Sequence, residues 1–191
     1  MMRGSEVLMS EASCRCFEPL PRDRWAEHPH FPSQVLLLGS HQNFRRLSKT
    51  LVAAGSVERD VEAGRGRLEA RQASFDQWQR SMRSHEHYEE HKLYPFLRHR
   101  FGVSTAQLER GHEALHAIER ALRSAANDGE AARWAATMAR FDVVLHEHLR
   151  DEEDLVIPCL LALEPREFTR YYHSSIGELL ATPSCGAALQ A

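Results

Sequence analysis

One string occurs twice in this chain, and it restricts the fold more than any other feature. His85-x-x-x-Glu89-Glu90-x-x-x-x-Pro95-x-Leu97 recurs as His148-x-x-x-Glu152-Glu153-x-x-x-x-Pro158-x-Leu160, at a constant offset of 63 residues. A further histidine precedes each copy, His41 by 44 residues and His112 by 36. Self-similarity at a fixed period marks a repeated structural unit. Two helical hairpins of one design would satisfy it, provided the strings lie on helices.

The apolar spacing says that they do. From about Ser33 to Ala54, Leu37, His41, Phe44, Ser48 and Leu51 step by four and three in turn, one face of a helix. Gly55, Gly64 and Gly66 then mark a connection with a short helical piece inside it. A second helix is expected from about Leu68 to Arg100, with Phe75, Trp78, Met82, His85, Glu89, Leu93 and Phe96 inward and Phe101-Gly102 as its stop. Ser104-x-x-Gln107 reads as a capping box for a third helix reaching Ala126, with Leu108, His112, Leu115 and Leu122 inward. Asp128 is the expected N-cap of a fourth helix, about Glu130 to Leu163, striped by Trp134, Met138, Phe141, Leu145, His148, Glu152, Leu155 and Cys159. A shorter helix starts at Pro165 and is expected to lie on the bundle through Tyr172, Ile176 and Leu179. No window sustains the alternation of a strand. The expected fold is all-α: an up-down-up-down four-helix bundle over 32–164, an irregular proline-interrupted arm over 1–31, and a C-terminal helix and tail over 165–191.

Two inward stripes carry ionisable residues where apolar ones belong. Residues four apart on a helix differ by about 40° and about 6 Å of rise, so His85 with Glu89, and His148 with Glu152, present side by side toward the core. A buried carboxylate without a partner costs several kcal/mol, which a metal would offset. The hairpin arms have similar lengths, so His41, His85, His112 and His148 fall at one level, within about 5 Å of axial rise. His116 lies one turn after His112 on nearly the same face. The candidate ligands are therefore His41, His85, Glu89, His112, His116, His148 and Glu152. Imidazoles with carboxylates and few thiolates suit iron or manganese in a dinuclear arrangement, and zinc remains open.

These residues resemble the hemerythrin-like (HHE cation-binding) domains, whose pattern is a His, a His-x-x-x-Glu, a His, and a second His-x-x-x-Glu or His-x-x-x-x-Asp. The resemblance covers about residues 33–163. It implies two iron ions, oxo- or hydroxo-bridged, with Glu89 and Glu152 bridging. His41, His85 and His148 take the single-histidine places, and His112 with His116 the two-histidine helix of the oxygen carriers. Those carriers have a carboxylate five residues after the last histidine. Here that position is Glu153, and Glu152 is preferred because it continues the core stripe. The implied partner is a small diatomic ligand or peroxide: a protein that binds or senses dioxygen or nitric oxide. Against this stand an enzyme that decomposes peroxide or donates iron for repair, and a structural or zinc-loaded bundle.

Other residues are set aside. His87, His91 and His146 fall on the outer face, and His28, His30, His99 and His173 lie off the stripe. Glu119 reads either as an acceptor behind a ligand imidazole or as a rim residue paired with Arg123. Glu90, Tyr94 and Glu153, the nearest candidates for a general acid, are not expected to face inward. A net charge of −3 without a Lys/Arg patch offers no field for nucleic acid. No apolar stretch approaches the length of a membrane span. The first residues do not read as a secretion signal, and Cys14, Cys16, Cys159 and Cys185 show no disulfide framework, so a cytoplasmic protein is expected.

Overall fold

The computed structural model describes residues 18–55 and 64–182, and within them every regular element is helical. The helices are α1 (Leu37–Gly55), α2 (Gly64–Tyr88), α3 (Tyr94–Phe101), α4 (Ala106–Asn127), α5 (Ala131–Leu161), α6 (Pro165–His173) and α7 (Ile176–Leu180). A 3-10 turn at Arg22–Glu27 precedes them, and a π turn at Glu89–Leu93 joins α2 to α3. The long helices form a bundle in which α5 packs on α1 and α4, and α2 packs on the same two. The expected piece of structure between Gly55 and Gly64, and Cys14, Cys16 and Cys185, lie outside the described residues. Among those described, no helix is long and apolar enough to cross a membrane.

Among the described residues, two of the three apolar clusters flank the ionisable positions. One gathers Phe44, Phe75, Trp78, Met82, Trp134, Met138 and Phe141 toward one end. The other gathers Leu93, Tyr94, Phe96, Leu97, Val156 and Leu160 with Tyr171 and Leu179 of the C-terminal helices. Along α1, α2 and α5 the ionisable positions fall between them. The polar level is therefore closed above and below by largely apolar side chains, of which Tyr94 carries a hydroxyl.

Several local expectations change. α1 begins at Leu37 rather than Ser33, because residues 31–36 form turns (Gln34 N–H to His30 O, Val35 N–H to Pro32 O) that sink Val35 beside Trp25. The second helix is not uniform. Pro95 has no N–H for an α-type bond to His91 O, and its ring would crowd that carbonyl. The chain widens just before it, so that the Tyr94 N–H reaches back five residues to Glu89 O. Pro158, at the equivalent place in the second copy, stays within α5. The capping box at Ser104 does not form. Thr105 is the N-cap of α4, and its hydroxyl instead joins Arg98 and Glu109. Asp128 closes α4 and pairs with Arg133, leaving Glu130 as the N-cap of α5. The last helix breaks at Ser174, where Ser175 and Glu178 make a real capping box. Within α6 Tyr171 is the buried tyrosine and Tyr172 is 55% exposed, while beyond the break Leu179 of α7 is buried.

The arm is only partly irregular. Trp25 packs with Val35, Ile157 and Leu161, and Arg22 reaches Glu153 and Asp154 on α5.

Candidate metal centre

Six of the seven residues picked from the sequence converge between the two apolar clusters. His41, His85, Glu89 and Glu152 each present a donor atom, and these atoms all lie within 4.8 Å of one another. His41 Nε2 is 3.1 Å from His85 Nε2 and 3.4 Å from Glu152 Oε2, while His85 Nε2 is 2.6 Å from Glu89 Oε1. The second pair of histidines closes the other side. His112 Nε2 is 3.5 Å from Glu89 Oε2, His148 Nε2 is 3.9 Å from Glu152 Oε2, and the two rings sit 4.6 Å apart. A cavity of about 10 Å³ lies among these side chains, bordered also by Phe44, Met82 and Leu145. His116 does not turn into this group. Its Nε2 is 2.8 Å from Glu86 Oε2, one turn along α4, and the side chain is 27% exposed.

The imidazoles are aimed from behind. Glu153 is held ionised, down to about 2: its burial opposes ionisation, but His41, Arg45 and Arg22 outweigh it. An ionised carboxylate only accepts, so His41 Nδ1, 3.1 Å from Glu153 Oε1, must donate and leave the Nε2 lone pair facing the centre. His112 Nδ1 stands 2.8 Å from Glu90 Oε1 in the same relation. Burial and the neighbouring histidines push His148 down to about 3, and burial lowers His85. His112 is pulled up to about 9 against its burial by Glu89 and Glu90. Burial raises both Glu89 and Glu152; the Glu89 carboxylate pushes Glu152 further up, while hydrogen bonds from His112 and Glu152 hold Glu89 partly down. These groups leave polar atoms poorly paired. Glu89 Oε1, Glu152 Oε2 and His112 Nε2 are buried without a well-directed hydrogen bond, although an imidazole or carboxylate lies close to each. A cation among them would pair these lone pairs and the two carboxylates together, so this donor set fits one.

Other side chains reach the site against expectation. Tyr94 is fully buried and its hydroxyl donates to Glu152 Oε1 at 3.2 Å. The π turn is the reason: with one extra residue in the turn, Tyr94 follows Glu89 on the inner line. Glu153 is buried as well, because its direction, about 100° round from Glu152, faces α1. Glu90 is reached from α4 although its side chain remains 40% exposed. Glu86 is buried and borders the cavity. Glu119 takes neither expected role. It binds Gln79 and Arg83, and Arg123 goes to Gln79 and Asp76. Gly111 was passed over altogether. A Cβ there would lie 2.3 Å from His148 Nδ1, so α4 can approach α5 at the site only with glycine at that position. A glycine mid-helix beside a candidate ligand was the available signal. His87 and His91 stack on each other at the surface, 4.0 Å between rings.

A helical bundle whose buried core gathers imidazole and carboxylate donors, some of their atoms lacking a well-directed hydrogen bond, is a cation-binding bundle in design. Comparison with known families agrees: the hemerythrin HHE cation binding domain matches residues 34–160, and the chain belongs to that family. Searches of curated proteins and of solved structures returned no match.

Proposed function

We propose that this chain is a non-haem di-iron protein that binds or senses a small ligand such as dioxygen or nitric oxide. The reading takes 32–164 as an up-down-up-down bundle and the protein as cytoplasmic. One observation carries it: both repeats deliver a His and a Glu to a single buried level, and atoms from Glu89, Glu152 and His112 make no well-directed hydrogen bond there. Two carboxylates and at least four imidazoles are more than one tetrahedral ion uses, which favours two ions over one zinc. Residues His41, His85, Glu89, His112, His148 and Glu152 would hold them, with His116 able to join if it leaves Glu86. Bound iron would supply reversible one-electron chemistry and an open position for the ligand. The chain itself fixes imidazole orientation through Glu153 and Glu90 and keeps water out with Phe44, Met82 and Leu145.

Tyr94 gives a second reading its support. A hydroxyl on Glu152 is a proton donor at the centre, which an enzyme decomposing peroxide would use. The test begins with metal content and the ultraviolet–visible spectrum of aerobically purified protein. Two irons with an oxo-bridged chromophore are expected; stoichiometric zinc without it sinks both readings. Oxygen evolution from added peroxide then separates them. Glu89→Ala and Glu152→Ala are each expected to strip most of the metal, and full occupancy in either refutes the ligand set.

A further inference from the structure

We infer that the ligand reaches the centre through an apolar groove built by α6, and that this route admits uncharged small molecules in preference to ions. The inference rests on the metal-binding reading above. Of the six converging side chains His85 is the most exposed, at 15%, against 0–5% for the others. It lines a groove of about 220 Å³ whose walls also include Leu36, Ser40, Tyr88, Phe168 and Tyr171. None of its lining residues carries a carboxylate, ammonium or guanidinium group. A larger hollow of about 600 Å³ also approaches the site, but it is edged with Arg22, Arg45, Lys49, Asp142 and Glu147. It touches Glu153 and none of the six donors. A charged molecule drawn to that hollow therefore stops behind His41, while one entering the groove meets His85 directly.

The groove has one wall within the matched domain and another outside it. Its outer wall is Phe168, Tyr171 and Tyr172 of α6, beyond the residues 34–160 that match the family. α6 is latched in place by contacts that could be altered without touching the ligands. The Tyr171 and Tyr88 hydroxyls bond to each other, and Lys92 Nζ donates to Tyr172 O at 3.1 Å. Phe96 stacks on Tyr171 with rings 4.6 Å apart. A wall of aromatic rings with no fixed charge passes dioxygen or nitric oxide without a desolvation cost and imposes one on an anion.

The experiment uses the full chain, with metal content measured first. Leu36 is 61% exposed at the groove, so Leu36→Trp can fill it without disturbing the core, and Phe168→Ala widens it. With nitric oxide as the probe and stopped-flow detection on iron-loaded protein, Leu36→Trp should slow association and dissociation together by about fivefold or more, leaving Kd within about twofold. Phe168→Ala should speed both. In the metal-free chain, dissolved dioxygen should enhance relaxation of the Leu36 and Leu160 methyls well above that of the exposed Val143, and Leu36→Trp should abolish the enhancement at Leu160. Metal-loaded variants with unchanged nitric oxide rates, or oxygen enhancement no greater than at Val143, overturn the route while leaving the metal reading intact. A chain that holds no metal overturns both, and does so before any rate is taken.

Discussion

Gly111→Ala isolates the geometry of the centre from the stability of the bundle. The added methyl would stand 2.3 Å from His148 Nδ1 and 3.1 Å from its Cε1, where ordinary contact begins at 3.4 Å, so the ring must retreat by about 1 Å. Two effects on stability oppose each other. Removing a helical glycine is worth about 1 kcal/mol, and overpacking costs about 1–3 kcal/mol, so the metal-free protein should change by no more than about 2 kcal/mol. The cavity bordering His148 gives the ring somewhere to go. A ligand atom, however, must sit within about 0.2 Å of its proper distance, and a displacement several times larger removes it. The expected result is a near-normal melting curve without metal, together with loss of metal stoichiometry or a changed chromophore with it. Calorimetry of the metal-free chain and elemental analysis of the loaded chain measure the two sides. Wild-type metal content and spectrum in Gly111→Ala would refute the reasoning.

Three further outcomes follow from single residues. Glu153 is held at about 2 against an ordinary 4.5, so its contribution to stability is complete above pH 4.5 and is lost as pH falls toward 2. Arg22 is 45% exposed and screened, so the difference is put at about 1–3 kcal/mol; urea unfolding of metal-free protein should show it between those pH values, and Glu153→Gln should flatten that window. Tyr94→Phe should retain metal and nitric oxide affinity, while any peroxide decomposition using its hydroxyl falls about 100-fold; an unchanged rate at full metal content removes Tyr94 from that chemistry. Cys159 is fully buried and pushed up to about 12 by that burial, so alkylation of the native protein at pH 8 followed by peptide mapping should find it unmodified. Modification at the rate of a free thiol would place it outside the core.

Much of this was legible because helical periodicity is a property of the chain alone. The stripes Phe75 to Phe96 and Trp134 to Cys159 are the buried lines of their helices, and the offset between repeats marks one design used twice. What was not legible depends on phase or on neighbours. A π turn before Pro95 adds one residue to the turn, and this brings Tyr94 to Glu152 beside the expected Leu93 and Phe96. The break at Ser174 puts α7 out of phase with α6, so a line through Tyr172, Ile176 and Leu179 does not hold and Tyr171 is the buried tyrosine. Gly111 could be seen, but its purpose lies on another helix, in the ring of His148.

The doubled glutamate of each repeat shows why neighbour order matters. Consecutive residues on a helix point about 100° apart, so Glu152 and Glu153 cannot both face the centre, and the sequence favours Glu152 there without placing Glu153. In a bundle, the direction that misses the centre faces the adjoining helix. α5 adjoins α1, and Glu153 meets His41; α2 adjoins α4, and Glu90, just past its end, meets His112. Each half thus supplies one carboxylate to the core and lends a second to the leading histidine of the other half. The exchange is unequal. Glu153 is buried and clamped by Arg45 and Arg22, whereas Glu90 is 40% exposed and, among the described residues, has no cation besides His112 within reach. Two copies of one string have therefore come to hold their imidazoles with different firmness, so the centre is built as a pair but is not symmetric.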